Sequence, residues 1–115
     1  MKIKHYEKYG AAIIELKGDL MGGPDAFELN GLLHKFLDEK KNHVVVDLSN
    51  VKFVNSSGIG ILISGYTTMK NGGGNLKLAN LSEKVKGVLA ITKLNNIFES
   101  HKTIDEAVKS FKLNQ

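Results

Sequence analysis

The sequence predicts an α/β fold in which about four helices pack on a mixed, mostly parallel sheet of about five strands. Residues 44–48 are nearly continuous apolar and rich in β-branched side chains, which is typical of a strand covered on both faces. Beyond the first hairpin, strand-like and helix-like segments alternate, as in a sheet built from parallel crossovers. A chain of 115 residues is the size of one compact domain, so we expect a single domain over residues 1–115.

The N-terminal elements are a hairpin and an amphipathic helix. Residues 2–7 and 11–17 flank Tyr9-Gly10, which predicts two antiparallel strands joined by a tight turn. Glycines in residues 18–23 break the pattern, and Pro24 suits the first turn of a helix, where its missing N–H is not needed. Apolar residues then recur at helical spacing. They are Ala26, Leu29, Leu33, Phe36 and Leu37.

The central elements are the strand at residues 44–48 and the helix that follows it. Residues 51–54 carry the chain to a turn at residues 55–58, and a helix is predicted over residues 57–71. The glycines at residues 72–74 end this helix, as glycine does at many helix C-termini. The predicted core stripe of the helix is Ile59, Leu62, Ile63, Tyr66 and Met69.

The C-terminal elements complete the alternation. Residues 76–79 form a predicted strand, and Ser82 is the predicted cap of a helix that buries Val85, Val88 and Leu89. Residues 94–98 are predicted to form a short final strand. Thr103 and Glu106 have the spacing of a capping box, which opens a last helix. Its predicted inward residues are Ile104, Ala107, Val108 and Phe111.

Composition and charge exclude several classes of function. The formal net charge is +4, but its basic residues are lysines dispersed along the chain, and arginine, which reads bases and phosphates bidentately, is absent. We therefore expect no nucleic-acid binding. Without cysteine there are no disulfides and no thiolate metal sites. Residues 1–8 lack an apolar signal region and no apolar run could cross a bilayer, so the prediction is a cytoplasmic protein without membrane insertion.

The usual signatures of catalysis are missing as well. The glycines at residues 72–74 follow a helix and precede a strand, whereas a phosphate loop must lead into a helix. The histidines lack the i, i+4 pairing of a helical zinc site, and the Gly-x-Ser-x-Gly elbow of hydrolases is absent. The sequence therefore predicts no catalytic residue, no metal and no cofactor. The histidines are His5, His34, His43 and His101.

The turn at residues 55–58 stands out because the helix after it opens with Gly58 and Gly60. Each glycine costs about 0.5–1 kcal/mol of helix stability relative to alanine. Two interpretations fit equally well. Either bulk is excluded because another backbone or a partner comes close, or Ser56 or Ser57 simply caps the helix and the glycines ease its packing on the sheet.

Residues 46–62 resemble the central signature of STAS domains, the anti-sigma-factor antagonist family. The family pattern is roughly D-L-S-x-V-x-x-(hydrophobic)-D-S-S-G-L-G, and this chain reads D-L-S-N-V-K-F-V-N-S-S-G-I-G from Asp47 to Gly60. Residues 16–20 are similar to the family's second strand and the turn after it, and residues 94–98 to its closing L-x-x-I/L-F. The resemblance implies the same order of strands and helices.

The resemblance also implies a function. The unmodified protein is expected to bind a serine-kinase anti-sigma factor and so to release the sigma factor. The kinase would phosphorylate Ser56, and a phosphatase would reverse the modification. Ile61 lies off the predicted core stripe of its helix, and we place it in the docking surface with the turn and with the loop at residues 18–24. The predicted partner-binding residues are Asp19, Met21, Gly22, Gly23, Asn55, Ser57, Gly58 and Ile61.

Two departures from the family pattern keep alternatives open. The acid before the phosphorylated serine is replaced by Asn55, and the acid that follows the second strand is replaced by Met21. STAS domains also serve in transporters and in stressosome-type assemblies, so a constant, non-phosphorylated interaction subunit is the main alternative. A small hydrolase that uses Ser57 is a third hypothesis.

Overall fold

The computed structural model describes residues 1–112, which form one five-stranded sheet with helices on both faces. The spatial order of the strands is the same as their order in the chain. The strands are β1 (Lys2–Lys8), β2 (Ala11–Lys17), β3 (His43–Asn50), β4 (Asn75–Ala79) and β5 (Ser100–His101). The helices are α1 (Asp25–Asp38), α2 (Ser56–Asn71), α3 (Glu83–Ile91) and α4 (Ile104–Lys112).

The sheet is mixed, with one antiparallel and three parallel pairings. Strand β1 pairs with β2 antiparallel, whereas the neighbours from β2 to β5 are all parallel. The hairpin turn has positive φ at both Tyr9 (51°) and Gly10 (85°), the backbone geometry that matches the twist of two antiparallel strands. The predicted hairpin and the predicted parallel sheet are both confirmed.

Each face of the sheet has its own apolar cluster. The larger cluster lies beneath α1, α2 and α3 and contains Val44, Val46 and Leu48 of β3. The smaller one lies beneath α4, where Val45 meets Val108 and Phe111. Strand β3 is therefore covered on both sides, which explains its unbroken run of valines.

The predicted position of the last strand is wrong. Residues 94–98 are not a strand: Leu94–Asn96 form a 3-10 turn, and the last strand is Ser100–His101. The Phe98 N–H donates to the Leu94 carbonyl at 3.0 Å, and Phe98 is buried with its ring 5.5 Å from that of Tyr66. Leu94 and Phe98 therefore pack against the larger apolar cluster, whereas Ile97 is exposed. The polar residues Ser100 and His101 after them pair with β4.

An ion cluster around the buried side chain of Lys77 lies between the sheet and α4. The side chain of Lys77 is fully buried, and its Nζ lies 2.8 Å from Glu99 Oε2 and 2.6 Å from Ser110 Oγ. The same Glu99 oxygen lies 2.6 Å from His101 Nε2. Partial burial by itself raises the pKa of Glu99, but Lys77 and His101 outweigh it and lower that pKa from 4.5 to about 2.

This lowered pKa predicts a specific loss of stability in acid. A carboxyl whose pKa falls on folding stabilises the fold above its unfolded pKa, near 4.5, and that stabilisation is lost as the pH falls toward about 2. Because the Glu99 side chain is 49% exposed, solvent screening reduces the effect, and we expect about 2 kcal/mol. Urea unfolding between pH 6 and pH 2 would measure it. Glu99→Gln should remove this part of the pH dependence, and identical slopes in the two proteins would contradict the assignment.

Candidate functional site

Helix α2 begins at Ser56, and the residue that caps it is Asn55. The backbone N–H of Gly58 donates to Asn55 Oδ1 at 2.8 Å, and Asn55 itself is extended, with φ −101° and ψ −177°. Asparagine caps helices as well as serine does. The interpretation that Ser56 or Ser57 caps the helix is therefore wrong. Both serines are instead exposed residues of the first turn.

The loop at residues 18–24 is bound to this turn by backbone hydrogen bonds. The Leu20 N–H donates to the Phe53 carbonyl at 2.9 Å, and the Asn55 N–H donates to the Leu20 carbonyl at 3.3 Å. Because β2 and β3 are parallel, the segments that leave their carboxyl ends emerge side by side, and Leu20 forms a parallel bridge with Val54. The structure therefore brings the two predicted parts of the site together.

The close approach of the loop explains one of the two glycines. A Cβ on Gly58 would lie 1.8 Å from the Leu20 carbonyl oxygen, which no side chain could tolerate. The interpretation that another backbone excludes bulk is thus confirmed at Gly58. Gly60 differs, because it is exposed and a Cβ there would meet no atom within 4 Å.

Loop glycines shape the same contact. Gly22 has φ +101°, and a Cβ on it would lie 2.8 Å from the Cβ of Ser57. Gly23 has φ +83° with open space around it. The loop can pass directly beside the first turn of α2 because Gly22 has no side chain there, while Asp19 and Met21 remain exposed.

Ile61 does not belong to the exposed surface, and its predicted place there is wrong. It is only 6% exposed and lies in the larger apolar cluster. Helix α1 covers that side of α2: Leu33 Cδ1 lies 3.1 Å from where a Cβ of Gly65 would be, and Thr68 Oγ1 donates to Asn30 Oδ1 at 2.8 Å. The apolar face of α2 is therefore wider than the stripe that spacing predicts.

The exposed apolar residue that the sequence prediction missed is Phe27, in the first turn of α1. It is 87% exposed, and Met21 in the preceding loop is 51% exposed. The sequence indicates the exposure of Phe27 only indirectly, because Phe27 falls outside the helical spacing that places Leu29 and Leu33 in the core. Aromatic side chains are enriched in protein interfaces, which makes Phe27 a candidate contact residue.

The electrostatics of the turn favour an added anion. The first turn of α2 contains no acidic residue, so the positive end of the helix dipole is not offset by a carboxylate there. Exposed hydroxyls at such a position can carry a negative group without opposing the fold. Within residues 1–111, no three metal-ligating side chains come together, and no helix described in the structure is long and apolar enough to span a membrane.

Comparison with known proteins places these features in one family. Residues 2–107 match the STAS domain family. A Thermotoga maritima protein named "Putative anti-sigma factor antagonist" is 31% identical over 75 residues, which span 65% of this chain and 66% of that protein. The anti-sigma-B factor antagonist of Bacillus subtilis is 29% identical over 87 residues, covering 74% of this chain and 80% of that one.

Solved structures show the same fold. The crystal structure of a putative anti-sigma factor antagonist from Thermotoga maritima superposes with a TM-score of 0.82 at 24% identity, covering 94% of this chain and 92% of that one. The structure of the Bacillus cell fate determinant SpoIIAA in its phosphorylated form superposes with a TM-score of 0.71 at 16% identity, covering 96% of this chain and 99% of that one. The structure of a sulfate transporter family protein from Wolinella succinogenes superposes with a TM-score of 0.73 at 20% sequence identity, covering 92% of this chain and 88% of that one.

Proposed function

Because the chain belongs to the STAS domain family, we propose that it is an anti-sigma-factor antagonist that binds a serine-kinase anti-sigma factor and is switched by phosphorylation of Ser56. The observation that carries the proposal is the position of Ser56, exposed in the first turn of α2 and outside the helix cap. A kinase can reach such a hydroxyl without unfolding the domain. The proposed docking surface is this turn together with the exposed residues of the loop at 18–24 and Phe27.

The physical basis of the switch is a charge added where the fold tolerates it and an interface does not. A phosphoserine carries about −1.5 to −2 charges at neutral pH. At the N-terminus of α2 the helix dipole offsets part of that charge. Within a desolvated interface the same group adds bulk and requires cationic partners, so docking weakens while the domain stays folded.

Asn55 preserves one property of the family's acidic residue and removes another. Its side-chain oxygen caps α2 through Gly58, as an aspartate oxygen would. It brings no negative charge next to Ser56, however. We propose that the cap is retained because it holds the turn in place for docking, and that the kinase of this protein engages the serine without a neighbouring carboxylate.

Substitutions of Ser56 test the proposal directly. Ser56→Asp is expected to weaken binding to the purified serine-kinase anti-sigma factor of the same organism at least tenfold, about 1.4 kcal/mol, because it places a negative charge in the interface. Ser56→Ala should bind like the wild type, since it adds no charge or bulk. Isothermal titration calorimetry measures both, and circular dichroism checks that both variants fold. Equal affinity for the two variants would refute the switch.

The alternative is a constant, non-phosphorylated subunit of a transporter or stressosome-type assembly. The neutral Asn55 favours it, and the same fold occurs in a sulfate transporter family protein. Intact mass of protein purified from its native cells distinguishes the two functions. A phosphoryl increment that disappears in Ser56→Ala supports the switch, whereas unmodified protein under all growth conditions supports the constant subunit.

In either role the protein acts through binding, in the cytoplasm and without catalysis of its own. A phosphatase that restores the Ser56 hydroxyl completes the proposed cycle. Turnover of a substrate that Ser57→Ala abolishes would instead revive a hydrolase.

A further inference from the structure

A shallow apolar groove lies between α3 and the segment that leads into the Ser56 turn. Its volume is about 270 Å³, and we call it the α3 groove. Its α3 residues follow the spacing i, i+3, i+4 and i+7, so they share one face of that helix. The groove is lined by residues 52–54 and by Lys84, Gly87, Val88 and Ile91.

The side chains around the α3 groove are arranged for contact with another molecule. Ile91 is 84% exposed and Phe53 is 50% exposed, which is costly for two large apolar residues beside the same depression. A Cβ on Gly87 would meet no atom within 4 Å, so this glycine leaves open space in the groove and serves no internal packing. Nothing within the described residues fills that space.

The charges at the α3 groove have a single sign. Its two ionisable lining residues are Lys52 and Lys84, and Lys84 Nζ lies 4.3 Å from the centre of the Phe53 ring. The nearest acidic neighbour in sequence, Glu83, is 3.6 Å from Lys86 instead. Carboxylates on a docked molecule would therefore meet two lysines at the groove without local competition.

From this geometry we infer that the α3 groove binds an acidic amphipathic helix of a partner protein. Apolar side chains on one face of such a helix would enter the groove, and carboxylates on its flanks would reach Lys52 and Lys84. The volume is below the roughly 300–1,000 Å³ of pockets that enclose small ligands. A second copy of this chain would set lysine against lysine, and a flat bilayer surface could not fill the depression.

The inference is independent of the Ser56 switch. The α3 groove includes the residues just before Asn55 but neither serine, so it can be assayed in unphosphorylated protein. It adds a second contact that a partner docked at the Ser56 turn could use, and its failure would leave the phosphorylation proposal untouched.

A designed peptide provides the test. The probe is a helix of about four turns with leucine at i, i+3, i+4 and i+7 and glutamate at the flanking positions. In an NMR titration of the full chain, we expect shifts in the amides of residues 52–54 and 84–91 and a Kd below about 1 mM that rises with salt. Two control peptides are used. One keeps the leucines and has lysine at the flanking positions, and the other has the composition of the probe in scrambled order. Both should bind at least tenfold more weakly.

Variants of the protein make the test specific. Gly87→Gln places a side chain in the open space and replaces a helical glycine, so Tm should be unchanged or higher while the peptide binds at least tenfold more weakly. Gly31→Gln is the control, because Gly31 is also a helical glycine whose added Cβ would meet nothing within 4 Å, although it is more exposed than Gly87 and lies on α1. Lys84→Glu should weaken binding of the acidic peptide to a similar extent.

Three results would overturn the inference. The first is absence of peptide binding up to about 1 mM, a concentration that corresponds to a binding free energy of only about −4 kcal/mol. The second is equal binding by the wild type and Gly87→Gln. The third is preferential binding to vesicles of anionic lipid that Gly87→Gln abolishes, which would assign the α3 groove to a membrane surface.

Discussion

Gly58→Ala is expected to destabilise the protein by more than about 3 kcal/mol, because the new methyl group would lie 1.8 Å from the Leu20 carbonyl oxygen. The obstacle is backbone, which cannot turn aside as a flexible side chain can. Leu20 is held by its N–H bond to Phe53 and by the bond that its carbonyl accepts from Asn55. Either the loop at residues 18–24 must leave the turn or α2 must move away from the sheet. Thermal unfolding should show a fall in Tm of more than about 10 °C.

The matched control is Gly60→Ala, two residues further along α2. Gly60 is exposed and a Cβ there meets nothing within 4 Å, so the substitution should raise stability by about 0.5–1 kcal/mol through helix propensity alone. Opposite signs at two glycines of the same helical turn would establish that the loop contact requires Gly58. A Gly58→Ala protein as stable as the wild type would contradict the described contact between the loop and the turn.

The fold was predictable from the sequence because its strongest signals are local. The β-branched run at residues 44–48 indicated a strand covered on both faces, and the hairpin and helices followed from turn residues and apolar spacing. The wrongly placed strand at residues 94–98 shows where such signals end. Leu94 and Phe98 are apolar at a spacing of four, which serves a helical turn as well as a strand, and only the packing of Phe98 against Tyr66 decides between them.

The candidate site was only partly predictable because much of it depends on tertiary contacts. The importance of the turn at residues 55–58 could be inferred from the cost of its glycines. The burial of Ile61 could not, since it results from the position of α1 across α2. Phe27 and the α3 groove were also missed, because single exposed apolar residues carry no periodic signal. The partners of Lys77 lie just before β5 (Glu99) and on α4 (Ser110), far along the chain, and no spacing rule connects them.

Substitutions of the two partners in the ion cluster, Lys77 and Glu99, are expected to differ in their cost to stability. Glu99→Gln is expected to cost about 2 kcal/mol at neutral pH, because it leaves the fully buried Lys77 ammonium without a countercharge. This is the loss that acid produces when it protonates Glu99, so the two measurements should agree. Lys77→Met should cost about 1 kcal/mol or less, since methionine keeps most of the apolar stem and the half-exposed Glu99 can turn to water and to His101.

A double-mutant cycle separates the ion pair from its surroundings. If the penalty of Glu99→Gln comes from the buried ammonium, it should nearly vanish in the Lys77→Met background, giving a coupling of about 1.5 kcal/mol or more by urea unfolding. The single substitution His101→Ala measures how much the contact between His101 and Glu99, which Glu99→Gln also alters, contributes to the free energy of unfolding. Should Lys77→Met prove the more damaging of the two, the buried charge would be a net source of stability. The penalty of Glu99→Gln could then not be assigned to an uncompensated buried ammonium. The expected order follows from exposure: water reaches Glu99, whereas Lys77 depends on its protein partners alone.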